Sequence, residues 1–378
     1  MEEKFLNRNY ILAVLSSTAV YMASSMLITV LPKYVSQGRA GGVNVGALML
    51  SFTLFSGLTR IVWGRLSDKI GRIYVIYMGL LLAAMASAIL LFKDSMAFLL
   101  LSRMVFGAGF SAVITAGATL STEVVCHKDT SKAIAIYGLG GVLTQGIAPP
   151  LALFLYKYGI KSVVYVALAL LAVSFIMSKS IKCVFTRGKL PQNKIFILAA
   201  VPESAVAGII TFATASVFSF VPLLTTQVGI GNVSGFFIAN SIGLLFSRLI
   251  FAKISAAIPR NKLFFYGLAL FVLGFVGISV AKSSVMLTVA GLFYGYGLGS
   301  IHPILNTGAV NRADKSDRAG AMAMFYIFQD FGVAFGSIVC GVLAESFQLK
   351  TIFMVCAAVA AFSAVPFIII SKYSIKNK

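Results

Sequence analysis

The sequence predicts an all-α membrane protein: twelve transmembrane helices arranged as two pseudo-symmetric six-helix bundles. Three observations carry that prediction. The first is composition. Of 378 residues, 59% are hydrophobic and 11% are charged, against about 25% charged in an average soluble domain. Too little polar surface is left to solvate a globule of this size, so a soluble enzyme is excluded. The second is segmentation into apolar runs, each close to the roughly 20 residues that cross about 30 Å of hydrocarbon. They are too long for membrane strands and do not alternate. The third is an internal repeat at a single offset of 188 residues.

Charge clusters and Gly/Pro/Asn turns divide the chain in order. Arg8 precedes a first span near 10–32, and Lys33 and Arg39 separate it from a second near 44–64. Arg65, Lys69 and Arg72 lead into the third at 72–92, and Lys93 into the fourth at 96–121. Lys128 and Lys132 precede the fifth at 133–155, and Lys157 and Lys161 the sixth at 161–181. A basic stretch, 182–194, contains Arg187-Gly188-Lys189-Leu190-Pro191 and reads as a solvated linker between halves 1–181 and 195–378. The second half continues with spans near 195–223, 233–255, 262–281, 284–309, 318–343 and 349–371. The first apolar run is followed at once by others and has no small-residue processing site, so it reads as helix 1 and not as a signal peptide.

The net charge is +20, from 31 Lys/Arg against 11 Asp/Glu. On a soluble domain this would suggest nucleic acid; spread over short loops, it follows the positive-inside rule. With both termini in the cytoplasm, 21 of the cations fall inside and seven outside, while Arg60, Arg103 and Arg248 fall within helices. The expected location is the cell membrane, a bacterial inner or cytoplasmic membrane, crossed many times. Cys126, Cys183, Cys340 and Cys356 lack metal-ligand spacing and read as buried thiols.

The repeat aligns Trp63-Gly64-Arg65-Leu66-Ser67-Asp68-Lys69-Ile70-Gly71-Arg72 with the segment from Phe251 to Arg260. Arg60 falls on Arg248, and Gly107-Ala108-Gly109 on Gly295-Tyr296-Gly297, at the same offset. Two parallel halves of this kind can rock about a central cavity. Gly64 and Gly71 permit close approach and a tight turn. Asp68 can accept bonds at a helix start, and Arg65 and Arg72 offer rigid forks to carboxylates or carbonyls.

With these features the chain resembles the major facilitator superfamily over essentially its whole length. The segment Gly64 to Arg72 is similar to the family's signature between helices 2 and 3. The resemblance implies that Gly64, Arg65, Asp68, Gly71 and Arg72 form a latch governing the inward–outward switch. The second copy has Ala256 for the acid and Pro259 for the glycine, so its latch is expected to be degenerate. Leu101 to Gly109 resembles the fourth-helix signature, which implies a part for Arg103 in proton coupling or substrate binding. The glycines and Pro149-Pro150 of the fifth span are loosely similar to the antiporter signature, and small-residue packing explains them equally.

Few other polar groups enter the spans. Asp330 lies halfway along the eleventh and Glu203 early in the seventh, making both candidate proton carriers. Glu123, near the end of the fourth, reads as a cap or latch partner. His302 reads as a packing residue or as a proton carrier. If helices 1, 4, 7 and 10 line the substrate path, as the resemblance implies, Tyr21, Met26, Ser111, Thr115, Phe212, Phe218, Tyr294, Tyr296, His302 and Asn306 are wall candidates. Aromatic and Met-bearing walls with few charges suit amphipathic organic molecules. There is no nucleotide-binding loop, so the energy source is an ion or solute gradient. The expected function is proton-coupled export of small organic molecules, with an uptake symporter or facilitator as the alternative and a non-transporting receptor or lipid enzyme disfavoured. The expected partners are the lipid bilayer, protons and a small organic molecule, with no cofactor, metal, nucleic acid or obligate protein partner.

Overall fold

The computed structural model describes residues 7–37, 41–92, 95–125, 130–181, 197–254, 258–314 and 317–376. The 182–194 linker and Ala256 lie outside them. The described residues form α-helices joined by short connections. In the first half these are α1 (Arg8–Gln37), α2 (Gly42–Ile70), α3 (Arg72–Phe92), α4 (Met96–Glu123), α5 (Thr130–Leu155) and α6 (Ile160–Lys179). In the second half α7 (Val201–Val228), α8 (Ser234–Ile254), α9 (Arg260–Val280), α10 (Ser284–Asn311) and α11 (Arg318–Ser346) follow. The last span is broken at Ser363 into α12 (Leu349–Phe362) and α13 (Ala364–Lys376).

Among the described residues, eleven helices are long and apolar enough to cross a membrane, and α8, with an apolar stretch of Ser234–Ile250, is the twelfth. Most boundaries fall within a few residues of the sequence expectation. The seventh span starts later, at Val201, because Pro202 occupies the first turn and a 3-10 turn, Leu198–Ala200, precedes it. The α2–α3 turn is made by Gly71 at φ 106°, a conformation that a Cβ disfavours.

The chain divides into two compact units: Met1–Tyr34 with Ser51–Pro191, and Val35–Leu50 with Gln192–Lys378. Lipid tails supply no hydrophobic drive between helices, so close backbone approach through small residues holds each unit. In the first unit a Cβ on Gly107 would lie 2.3 Å from the Phe52 carbonyl, and one on Gly109 2.5 Å from that of Gly79. In the second unit, a Cβ on Gly295 would lie 2.0 Å from the Asn240 carbonyl, and one on Gly297 2.7 Å from that of Gly267. All four pairs keep the offset of 188 residues, and so do the ends of α3 and α9 and of α4 and α10. The repeat legible in the sequence is therefore a repeat of helix–helix contacts.

Other elements of the second unit meet in the same way. The start of α2 carries Gly42 and Gly46, which abut the carbonyls of Gly341 and Ser337 on α11. Beside them Glu345 accepts the Val43 N–H at 3.1 Å. Gly332 and Gly336 of α11 press on the carbonyls of Gly208 and Phe212 of α7, at 2.2 Å from a notional Cβ in each case. The unit's core is aromatic, with Phe236, Phe271, Phe275 and Tyr294 fully buried.

Candidate functional site

At the α2–α3 turn of the first unit, Arg72 ties three acceptors together. It donates to Asp68, to Ser67 Oγ at 2.8 Å, and through Nε and Nη2 to Glu123 Oε1 at 3.1 and 3.0 Å. Ser67 passes the link back to the Gly64 carbonyl at 2.9 Å. Three helices thus meet on one guanidinium, and the planar fork is what allows it. Glu123 is part of this network. Arg65 is exposed, and a Cβ at Gly64 would meet no described atom within 4 Å. In this conformation, then, the turn needs Gly71 while the face at Gly64 stands open.

Arg103 on α4 is 2% exposed, and none of its three guanidinium nitrogens has a hydrogen-bond partner among the described residues. Its charge rests on π faces, 4.9 Å from the Phe106 centroid and 5.5 Å from that of Phe52. Such contacts attract a desolvated cation by about 2 kcal/mol. They leave its donors unused.

Along the same seam Thr59 Oγ1 and Ser111 Oγ lie 2.8 Å apart. One turn further along each helix come Trp63 and Thr115, whose Nε1 and Oγ1 are buried without partners among the described residues. Tyr137 of α5 donates to the Ile114 carbonyl at 3.1 Å. It also bonds Ser17 and lies within electrostatic reach of Tyr21 and Arg60.

In the second unit Glu203 is fully buried in the first turn of α7. Its Oε1 accepts from Arg312 Nε at 2.7 Å and from Arg260 Nη2 at 3.5 Å. Arg312 also donates to the Ile370 carbonyl at 3.3 Å, and Arg260 stacks 5.6 Å over Phe367. Both contacts fall on Oε1, and Oε2 is buried without a hydrogen-bond partner among the described residues. Arg260 is the repeat counterpart of Arg72, so an arginine opening the third helix gathers acid in both halves.

Asp330 is half-buried at the middle of α11. Its neighbour Gln329 places Oε1 3.3 Å from His302 Nε2, and Thr211 donates to the Gln329 carbonyl at 3.0 Å. Arg248 of α8 acts electrostatically on His302, whose ring is edge-on to Phe325 at 5.4 Å. Gln329, His302, Thr211 and Arg248, from four helices, thus share one region of the second unit. The glycines after Asp330 make no room for water, because the α7 backbone fills that space.

The wall candidates fall in different settings. Tyr21 meets Phe110 at 5.3 Å, Phe218 stacks on Phe237 at 5.7 Å, and Tyr296 meets Tyr266 at 6.2 Å. Phe212 and Asn306 are half-buried. Met26 is fully buried, and Tyr294 sits in the aromatic core against Phe236, Phe271 and Phe275. Cys340 and Cys356 are buried, with sulfurs 3.8 Å apart. Sequence reasoning missed Gln329 and Tyr137 as partners, and Trp63 as a buried donor. The signal for Trp63 was the i, i+3 spacing from Arg60 on a helix face that also carries Ser56 and Thr59.

Among the described residues no group of three or more His, Cys, Asp or Glu can hold a metal ion. The chain is similar to the multidrug resistance protein MdtG of Citrobacter koseri (strain ATCC BAA-895 / CDC 4225-83 / SGSC4696), at 25% identity over 95% of this chain and 93% of that one. Among solved structures it is similar to the nucleoside transporter NupG, with a TM-score of 0.76 and 15% identity, covering 97% of this chain and 100% of that chain. It is also similar to a bacterial homologue of the human lysosomal transporter Spinster, with a TM-score of 0.78 and 14% identity, covering 100% of this chain and 99% of that chain. The family model for the Major Facilitator Superfamily matches residues 13–197 and 204–377. With nearly every residue matched, and with a paired-bundle architecture, this multi-pass membrane transport protein belongs to the Major Facilitator Superfamily.

Proposed function

We propose that the chain is a proton-coupled secondary transporter that exports small amphipathic organic molecules by alternating access. The observation that carries the coupling is the depth of Asp330, a carboxylate at the middle of α11, whereas Glu203 stands in the first turn of α7 beside Arg312 and Arg260. An acid at that depth is costly in a membrane and marks an ion pathway or a proton relay. His302 and Gln329 form a polar pair in the same unit, and Arg103 is the buried cation of the other half. The export direction is supported by similarity to a multidrug resistance protein over most of both chains. The halves 1–181 and 195–378 are the moving bodies, residues 182–194 tether them in the cytoplasm with both termini, and the Asp68–Arg72–Glu123 cluster holds one orientation.

The test is transport in proteoliposomes by Asp330→Asn. A neutral amide imitates the protonated acid permanently, so gradient-driven accumulation should fall at least tenfold while exchange at equal pH persists. Normal gradient-driven transport by this variant removes Asp330 from the mechanism.

A further inference from the structure

Two thiols face each other inside the second unit. Cys340 of α11 and Cys356 of α12 are free, each 1% exposed, and their sulfurs lie 3.8 Å apart. Cys340 stands six residues before the end of α11 and Cys356 seven after the start of α12, so both sit in the halves nearest the turn that joins these helices. Ser337, Gly341 and Ala344, which flank Cys340 on its side of α11, pack against Gly42 and Gly46 of α2. Ser216 of α7 is hydrogen-bonded to Cys356, and Tyr294 lies within electrostatic reach of it.

A lone thiol in such surroundings packs as a small hydrophobe and reacts slowly. A pair in contact differs, because a sulfur that is oxidised meets its partner at once. Sulfur contact also means that the two side chains converge, as a bridge requires. The bond is about 2.05 Å long, a closure within reach of rotation about the two Cα–Cβ bonds. Among the described residues no third His, Cys, Asp or Glu joins the pair, so it lacks the ligand count of a structural metal site.

We infer that Cys340 and Cys356 are a redox pair that closes into a disulfide, stapling α11 to α12 beside the glycine contact with α2. The oxidant is a small neutral peroxide, which can enter where a protein oxidase cannot. One sulfur, as thiolate, attacks a peroxide oxygen: an S–O bond forms, the O–O bond breaks, and the departing hydroxide takes up the thiol's proton as water. The second sulfur then attacks the first. The S–S bond forms, the S–O bond breaks, and the hydroxyl leaves with the second thiol's proton as another water. Two electrons pass from the thiols to the peroxide, and a small dithiol reverses the bond by exchange.

The test uses the full chain with Cys126→Ser and Cys183→Ser, reduced and held in phosphatidylcholine nanodiscs. It is exposed to hydrogen peroxide, quenched with catalase, denatured in N-ethylmaleimide and cut with trypsin. Lys350 is the one Lys or Arg between the two cysteines, so peptides 319–350 and 351–372 separate unless a disulfide joins them. Most of the monomer should yield the joined pair, two hydrogens lighter than its parts, parted by dithiothreitol and absent from Cys356→Ala. The linked form should melt about 5 °C or more above the reduced form by far-UV circular dichroism, since the link constrains the unfolded chain. Recovery of both cysteines as maleimide adducts, sulfinic acids with no link, or a link confined to a dimer would each overturn the pair. A link that leaves the melting temperature unchanged would overturn the staple. No substrate or ion gradient enters the experiment, so its outcome and that of the transport reading are independent.

Discussion

Glu203 can be an anchor or a proton carrier, and replacement by Gln distinguishes the two. The side chain is fully buried, while Arg312 and Arg260 keep 29% and 38% of their side-chain surface in contact with solvent. Removing one partner of a buried ion pair costs about 3–5 kcal/mol. Here both arginines can regain some hydration, so the lower end applies, about 3 kcal/mol. For a unit of some 200 residues each kcal/mol moves the melting temperature by about 2–4 °C, which gives a fall of about 6–12 °C. Cys340 and Cys356 report that melting, because both are buried in the same unit and react with a fluorogenic maleimide only when it opens. The measurement uses a background with Cys126→Ser and Cys183→Ser. Adding Arg312→Leu to Glu203→Gln should cost less than the two changes summed, by 1 kcal/mol or more, since they share one contact. A Glu203→Gln protein that melts within 2 °C of the parent yet loses gradient-driven transport would refute the anchor and make Glu203 the proton carrier.

Four further outcomes are expected. Asp68→Asn should slow turnover tenfold or more with equilibrium substrate binding within twofold, read by transport beside binding, because the lost contact to Arg72 stabilises a conformation by about 1–3 kcal/mol. Gly71→Ala, at φ 106°, should destabilise by about 1–2 kcal/mol. Gly64→Ala should stabilise α2 by up to about 1 kcal/mol, since its Cβ would meet no described atom within 4 Å; a transport defect in a protein that melts no lower would show that this face closes in another state. Externally added maleimide should label Lys93→Cys and spare Arg187→Cys in intact cells, and labelling of the second would reverse the proposed topology.

The fold was legible because a membrane span is written in length and composition, and α3 and α4 end within two residues of their expected limits. The start of α7 was less so: a chain entering through a 3-10 turn before Pro202 is apolar throughout, and hydropathy cannot mark where its helix begins. Among the sites, the α2–α3 turn was readable because its partners lie close in sequence, Asp68 and Arg72 being one turn apart. The partners of Glu203 were not. Arg260 and Arg312 stand 57 and 109 residues away, and each sits in a loop-edge cluster that orientation by charge explains without any contact. Gly332 and Gly336 beside Asp330 could announce either water or a neighbouring backbone, and only the approach of α7 decides between them.

The two halves share their packing and differ in their chemistry. Positions whose partner is a backbone, such as Gly107 and Gly109 with Gly295 and Gly297, retain the residue in both copies, because any side chain there would separate the helices. Arg72 and Arg260 likewise both open a third helix and hold a carboxylate, although the acid comes from the end of α4 in one unit and the start of α7 in the other. Elsewhere the copies diverge: Arg103 answers to Gly291, Trp63 to Phe251, Thr115 to Pro303, and Asp330 to Val142. A polar group buried in a helix bundle is costly, and a scaffold that holds together through glycine contacts does not require one. Its presence in one half alone points to work that only that half performs.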